Sequence, residues 1–131
     1  MNVLQENYRV KFVEGVNNMH FNEYQIATRE TDLGTGERHN IKPTWLYYVL
    51  GVGGETGELL EKIKKHFRDD YGVMTDEKKK EIIKEMGDIQ WYLARLADAF
   101  GIKFNDVAEE NLKKLLSRKK RNKLHGNGDD R

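Results

Sequence analysis

The sequence contains no cysteine, a single proline and almost no net charge. Without cysteine, disulfides, thiolate metal sites and cysteine nucleophiles are all excluded. The 23 basic and 22 acidic side chains leave a net charge of +1, whereas a general nucleic-acid binder usually carries a clear basic excess. No apolar run approaches the roughly 20 residues that span a bilayer, and the first residues do not form a signal peptide. We therefore expect a cytoplasmic protein that binds neither nucleic acid nor membrane.

Helical periodicity dominates the sequence, and no strand-like alternation of useful length is present. In the strongest stretch, Ile82, Met86 and Ile89 begin an apolar series at steps of three and four. We expect an all-α, four-helix bundle in a single domain, residues 1–131, with 1–20 as an N-terminal extension and 121–131 as an irregular tail. The predicted helices are 22–31 with Asn22 as N-cap, Thr44 (N-cap) to about Arg68, Thr75 (N-cap) to about Phe100, and Asn105 or Asp106 (N-cap) to about Lys120, with a glycine-rich loop over 32–43.

Glycine is unusually frequent in the second of these helices. Gly51, Gly53, Gly54 and Gly57 all lie within it, and each costs about 1 kcal/mol relative to alanine in a helix interior. Such a segment needs a compensating reason, and the usual one is the close approach of another helix or of a ligand.

Two pairs of carboxylates accompany these glycines. Glu55 and Glu58 are three residues apart, as are Glu85 and Asp88 in the next helix, so each pair shares one helix face. If the two helices pack antiparallel, the four carboxylates can meet and repel one another by roughly 1–4 kcal/mol per pair. Such a cluster needs a cation. Hard oxygen ligands without cysteine or a well-placed histidine favour Mg²⁺, with Mn²⁺ as a substitute.

The simplest alternative is that these acids lie on solvated helix surfaces. Glu58 with Lys62 and Glu61 with Lys65 are spaced as ordinary i,i+4 surface ion pairs. The doubled motif, its glycines and its position beside the apolar stripes favour a site.

The last predicted helix carries a basic face. Asn111, Lys114 and Arg118 are spaced three and four apart and therefore project to the same side. Cationic side chains opposite an acidic metal site suit a polyphosphate substrate. The alternative is a solvated basic surface, since lysines also occupy other positions of this helix.

These segments resemble one known family. The pattern Glu55-x-x-Glu58, 26 residues, Glu85-x-x-Asp88 is similar to the signature of the MazG-like all-α nucleoside triphosphate pyrophosphohydrolases. Further blocks that resemble the family are Leu50-Gly-Val-Gly-Gly-Glu-Thr-Gly-Glu58, Glu85-Met-Gly-Asp-Ile-Gln-Trp-Tyr-Leu93 and Asn111-x-x-Lys114-Leu115-x-x-Arg118. The resemblance covers about residues 21–131.

The resemblance implies an enzyme that hydrolyses nucleoside triphosphates between the α and β phosphates, giving a monophosphate and pyrophosphate. It implies that Glu55, Glu58, Glu85 and Asp88 hold Mg²⁺ and that one of the glutamates orients or deprotonates the attacking water. By the same resemblance, the residues that bind the nucleotide are Asn111, Lys114 and Arg118, with Gln25, Lys65, Asp129 and Arg131 as further candidates.

Two other functions fit parts of the pattern. A carboxylate-bridged di-iron bundle would need Glu-x-x-His on two helices, and neither acidic pair is followed by histidine at that spacing. A non-enzymatic helical interaction module would need no metal. The aromatic side chains of the two glycine-containing helices fit either core packing or a platform for the base, and core packing is the better interpretation for most of them: Trp45, Tyr47, Tyr48, Trp91 and Tyr92. Their excess, and the resemblance itself, further predict a homodimer or homotetramer.

Overall fold

Every regular element is helical in a computed structural model that describes residues 18–129. The elements are α1 (Phe21–Thr28), a 3₁₀ turn (Arg29–Thr31), α2 (Thr35–Arg38), α3 (Leu46–Asp70), α4 (Asp76–Ala99) and α5 (Phe104–Lys120). The predicted all-α class is confirmed, and the four predicted helices correspond to α1, α3, α4 and α5. The single domain over the whole chain stays a prediction, because residues 1–17 and 130–131 lie outside the described part.

The long helices α3 and α4 form an antiparallel hairpin that contains most of the packing between elements. Their pairing runs in opposite directions, because Tyr47 contacts Tyr92 whereas Lys62, further along α3, contacts Glu85, earlier in α4. The predicted N-cap of α4 is confirmed, since the Thr75 hydroxyl accepts a hydrogen bond from the Lys78 amide at 3.3 Å. This hairpin brings the two acidic pairs of the sequence onto facing helix surfaces.

The start of α5 is capped by α1, so the predicted cap at Asn105 or Asp106 is wrong. The Phe104 amide donates to Gln25 Oε1, and the Asn105 amide donates to Asn22 Oδ1, each at 2.9 Å. Asn22 was expected to cap its own helix, but His20 holds that position. Side chains supplied by α1 satisfy amides that a helix N-terminus otherwise leaves without a partner. As a result, α5 begins at Phe104, one residue before Asn105 and two before Asp106.

Two further boundaries differ from the predictions. The expected loop over 32–43 contains the short helix α2, preceded by Gly34 in the left-handed region at φ 63° and by Asp32, whose carboxylate accepts from the Gly34 amide. Helix α3 starts at Leu46 rather than directly after Thr44, because hydrogen bonds from the Leu46 amide to Pro43 and from the Tyr47 amide to Thr44 form a tighter first turn.

The buried apolar core of the described residues is small. Ala94, Ala97 and Phe104 are buried, with Tyr24 packed against them, and within residues 18–129 no large side chain is completely buried. Many large apolar side chains stay exposed, among them Leu50, Leu60, Phe67, Met86, Leu112 and Leu116. A surface of this kind is typical of a chain that buries further apolar area against a partner. Among the helices within residues 18–129, none combines the length with the apolarity that a membrane span requires.

Candidate active site

Three of the four predicted acidic residues converge between α3 and α4. Glu55, Glu58 and Glu85 each offer a carboxylate oxygen within 4.8 Å of the others. Glu85 is buried, Glu55 is half-buried and Glu58 is exposed, so the group opens from the helix interface towards solvent. Asp88 is exposed, follows Glu85 by one helical turn and lines a pocket together with Glu55. The spacing of three residues within each pair and the antiparallel hairpin together produce this arrangement.

Electrostatic repulsion is visible at Glu55. Its pKa is raised above the usual range, first by partial burial and then by the negative charges of Glu58, Asp88 and Glu85. A cation among these carboxylates would relieve the repulsion. The clustered donors are all carboxylate oxygens, without histidine, so they fit a hard divalent cation such as Mg²⁺ or Mn²⁺ and do not fit the Glu-x-x-His pattern of a di-iron bundle.

A lysine that the sequence did not single out as functional partly balances this charge. The Lys62 ammonium pairs with the buried carboxylate of Glu85 across the helix interface, and not with Glu58 as the surface alternative expected. The hydrogen bond to Glu85 is the main cause of a raised Lys62 pKa. Spacing within one helix could not identify this pair, because its members belong to different helices.

The other predicted surface pair does form. Lys65 lies 3.4 Å from Glu61, which also pairs with Lys64, and both lysines are exposed. The proposed role of Lys65 in substrate binding stays a prediction.

An open pocket of about 440 Å³ adjoins the acidic cluster. It is lined by the carboxylates Glu55 and Asp88 together with Trp91, Tyr92 and Thr31. The Trp91 indole donates from Nε1 to Thr31 Oγ1 at 2.7 Å. Sequence reasoning left Trp91 and Tyr92 between core and base-binding roles and assigned Thr31 no function. The signal that was available is the position of both aromatics three and four residues after Asp88, which places them about one helical turn further along the same helix.

The basic face of α5 is not joined to the acids within one chain. Asn111 and Lys114 are exposed, whereas Arg118 is buried and donates to the Asp129 carbonyl at 2.6 Å, with the Asp129 carboxylate at 3.4 Å. Among the described residues, no hydrogen bond or ion pair connects these three side chains to the acidic cluster. The structure therefore groups Arg118 with the tail residue Asp129.

Two further candidates complete the set. Gln25 is buried, and its amide donates to the Ile102 carbonyl at 2.8 Å and accepts from Phe104, so it holds the start of α5. Its role in substrate binding stays a prediction. Arg131 lies outside the described residues.

Two comparisons with known proteins gave a match. A family model of the MazG nucleotide pyrophosphohydrolase domain matches residues 44–122, which contain all four acids and the basic face of α5. The chain is also similar to the Gene 37 protein of Mycobacterium phage L5, with 40% identity over 115 residues, covering 86% of this chain and 100% of the relative. No solved structure gives a significant match.

Proposed function

Because this chain belongs to the MazG nucleotide pyrophosphohydrolase family, we propose that it hydrolyses nucleoside or deoxynucleoside triphosphates between the α and β phosphates. The observation that carries the proposal is the convergence of Glu55, Glu58 and Glu85 beside a pocket that Asp88 also lines. Such an activity suits the removal of unwanted nucleotides from the cellular pool.

The four acids are the proposed ligands of a magnesium ion, with manganese as a possible substitute. When bound, the ion neutralises charge on the triphosphate and makes the α phosphorus a better electrophile. One glutamate of the cluster takes a proton from the attacking water while the oxygen of that water bonds to the α phosphorus. The bond from the α phosphorus to the bridging oxygen then breaks, and pyrophosphate leaves with the electron pair.

The basic face of α5 is the proposed contact for the outer phosphates. Lys114 is exposed and free to reach a ligand, whereas Arg118 would have to exchange its bonds to Asp129 for bonds to phosphate. Asn111 shares their face. Asp129 and Arg131 are further candidates for contact with the bound nucleotide.

We also infer a homodimer or homotetramer. The small buried core and the exposed apolar side chains of α3, α4 and α5 support it, since one chain leaves much of its apolar surface in water. Sedimentation that shows a stable, active monomer at micromolar concentration would contradict this inference.

The products of the reaction test the proposed chemistry. With Mg²⁺, a deoxynucleoside triphosphate should yield monophosphate and pyrophosphate in equal amounts, measured by chromatography with ³¹P detection. Asp88→Asn, which removes a proposed ligand from an exposed position, should fold and lose turnover. Diphosphate and orthophosphate as the primary products would show cleavage at the γ phosphate and contradict the proposal.

The competing interpretation is a non-enzymatic helical interaction module whose acids are surface charges. It predicts no turnover and no specific Mg²⁺ binding. Calorimetric titration of the purified protein with Mg²⁺ separates the two interpretations.

A further inference from the structure

The pocket beside the acidic cluster has an aromatic wall. Trp91 and Tyr92 follow Asp88 by about one turn of α4 and line the same pocket. Their rings meet at 86°, with centroids 4.9 Å apart. Tyr48 meets the indole at 65° and 6.4 Å. Among the described aromatic contacts, no ring stacks parallel to the indole of Trp91. A flat ligand can therefore take the stacked position that Trp91 offers in the pocket.

The indole of Trp91 is held in one orientation by a hydrogen bond to the 3₁₀ turn Arg29–Thr31. Thr31 Oγ1 accepts from Trp91 Nε1 and donates to the Thr28 carbonyl at 3.1 Å, so both partners of this hydroxyl are defined. A fixed indole loses little conformational freedom when a ligand binds, which favours affinity.

A network of ion pairs fastens that segment to α4. Asp98 accepts from Arg29 at 2.6 Å and from Arg95 at 2.8 Å. Arg95 also donates to Asp32 at 2.8 Å, and Asp32 accepts from the Tyr48 hydroxyl at 2.6 Å. Arg29 precedes Thr31 and Asp32 follows it, and both are bonded to side chains of α4. The network therefore fixes the position of Thr31 relative to α4.

The polar groups of Trp91 and Thr31 already have hydrogen-bond partners inside the protein. Trp91 bonds to Thr31 and Thr31 bonds to Thr28, while the ring of Tyr92 packs against that of Tyr47 with centroids 6.0 Å apart. The charged lining groups are the carboxylates of Glu55 and Asp88, which the proposed function assigns to the metal. Such a wall recognises a flat ring by its face and not by the pattern of donors and acceptors on its edge.

From this geometry we infer that Trp91 is the base-binding residue of the pocket, stacking on the nucleobase of the substrate, and that Thr31 is its positioning residue. The inference rests on the proposed function, since it takes the acids as the site of the phosphates. The pocket volume of about 440 Å³ lies within the range of small-ligand sites. Because stacking is tolerant of base identity, the enzyme accepts several bases with similar efficiency.

Kinetics with and without a base test the inference. Trp91→Leu should lower kcat/KM for deoxynucleoside triphosphates about 5- to 150-fold, the effect of removing one base–aromatic stack. The same variant should cleave deoxyribose 5′-triphosphate, which lacks a base, as well as the wild type does. Trp91→Phe, which keeps an aromatic face, should recover most of the loss. Trp45→Phe is the matched control, since Trp45 packs on Phe100 and does not line the pocket.

Substitutions that remove or keep the Thr31 hydroxyl test whether this residue positions the indole of Trp91. Thr31→Val removes the acceptor of Trp91 Nε1 without changing the side-chain volume, and it should raise KM more than it lowers kcat. Thr31→Ser, which keeps the hydroxyl, should restore the wild-type values. A Thr31→Val enzyme with unchanged KM would overturn the positioning role.

Fluorescence provides a reading that needs no turnover. The chain has two tryptophans, so the Trp45→Phe protein reports on Trp91 alone. Adding a deoxynucleoside monophosphate should quench this emission, and the same addition to a Trp91→Phe protein should leave the emission of Trp45 unchanged. No quenching in the first protein would overturn the inference.

The outcomes separate this inference from the proposed function. A wild type that cleaves no triphosphate removes the proposed function, and the fluorescence titration still decides whether Trp91 meets a base. If the wild type is active, two results for Trp91→Leu overturn the base-binding role alone. One is an equal loss of kcat/KM for substrates with and without a base, and the other is no loss of kcat/KM at all. Discrimination between bases by more than about 10²-fold would require edge recognition and would also overturn it.

Discussion

Gly51 is the one glycine of α3 whose absence of a side chain is explained within a single chain. A Cβ at this position would lie 2.2 Å from Cδ1 and Cε1 of Tyr92 on α4, far inside the separation of about 3.5–4.0 Å at which carbon atoms attract. The Tyr92 ring cannot simply rotate away, because it also packs against Tyr47 and Trp91. Gly51→Ala should therefore force α3 and α4 apart locally.

The expected magnitude follows from two opposing effects. Overpacking costs typically 1–3 kcal/mol, and a contact this short belongs in the upper part of that range. Alanine in a helix interior recovers about 1 kcal/mol relative to glycine. The free energy of unfolding should therefore fall by about 1–2 kcal/mol, measured by urea denaturation at one protein concentration, with an unchanged m-value.

Gly53→Ala and Gly57→Ala are the matched controls in the same helix. A Cβ at either position meets nothing within 4 Å among the described residues, so each should raise stability by about 0.5–1 kcal/mol through helix propensity. If these two glycines leave room for a ligand or a second copy, the same variants should lose activity or association while gaining stability. A Gly51→Ala protein as stable as the wild type would refute the reasoning about the close approach of Tyr92.

The remaining predictions concern charge. Glu58→Gln removes one negative charge from the repelling cluster, so the metal-free melting temperature should hold or rise, while its increase with Mg²⁺ should shrink; a full response to Mg²⁺ would return Glu58 to the surface-charge interpretation. The pKa of Asp98 is held below its usual range, first by the hydrogen bond from Arg29 and then by Arg95. A carboxyl with a lowered folded pKa contributes stability that is present above its unfolded pKa of about 4 and is lost as pH falls through the folded value. Asp98→Asn should therefore flatten the fall of the urea midpoint between about pH 5 and pH 3, and an acid dependence equal to that of the wild type would contradict this assignment.

The amino-acid sequence by itself determined the features that depend on neighbours within a few residues. The apolar steps of three and four define α4 because helical neighbours share a face, and Thr75 caps it through a bond to Lys78, three positions away. The pairing of Glu55 with Glu58, and of Glu85 with Asp88, follows from the same local geometry. The all-α class and the acidic motif could therefore be predicted from the order of the residues alone.

Tertiary structure decided everything that joins distant positions. Gln25 accepts a hydrogen bond from the Phe104 amide across 79 positions, a contact at the start of α5 that the spacing of residues could not predict. Lys62 pairs with Glu85 on the opposite helix and not with its own neighbour Glu58. The partnership of Thr31 with Trp91 spans 60 positions and depends on how α1 and α4 pack. Periodicity carries no information about such pairs, because it reports which side a residue faces and not what the other elements bring to that side.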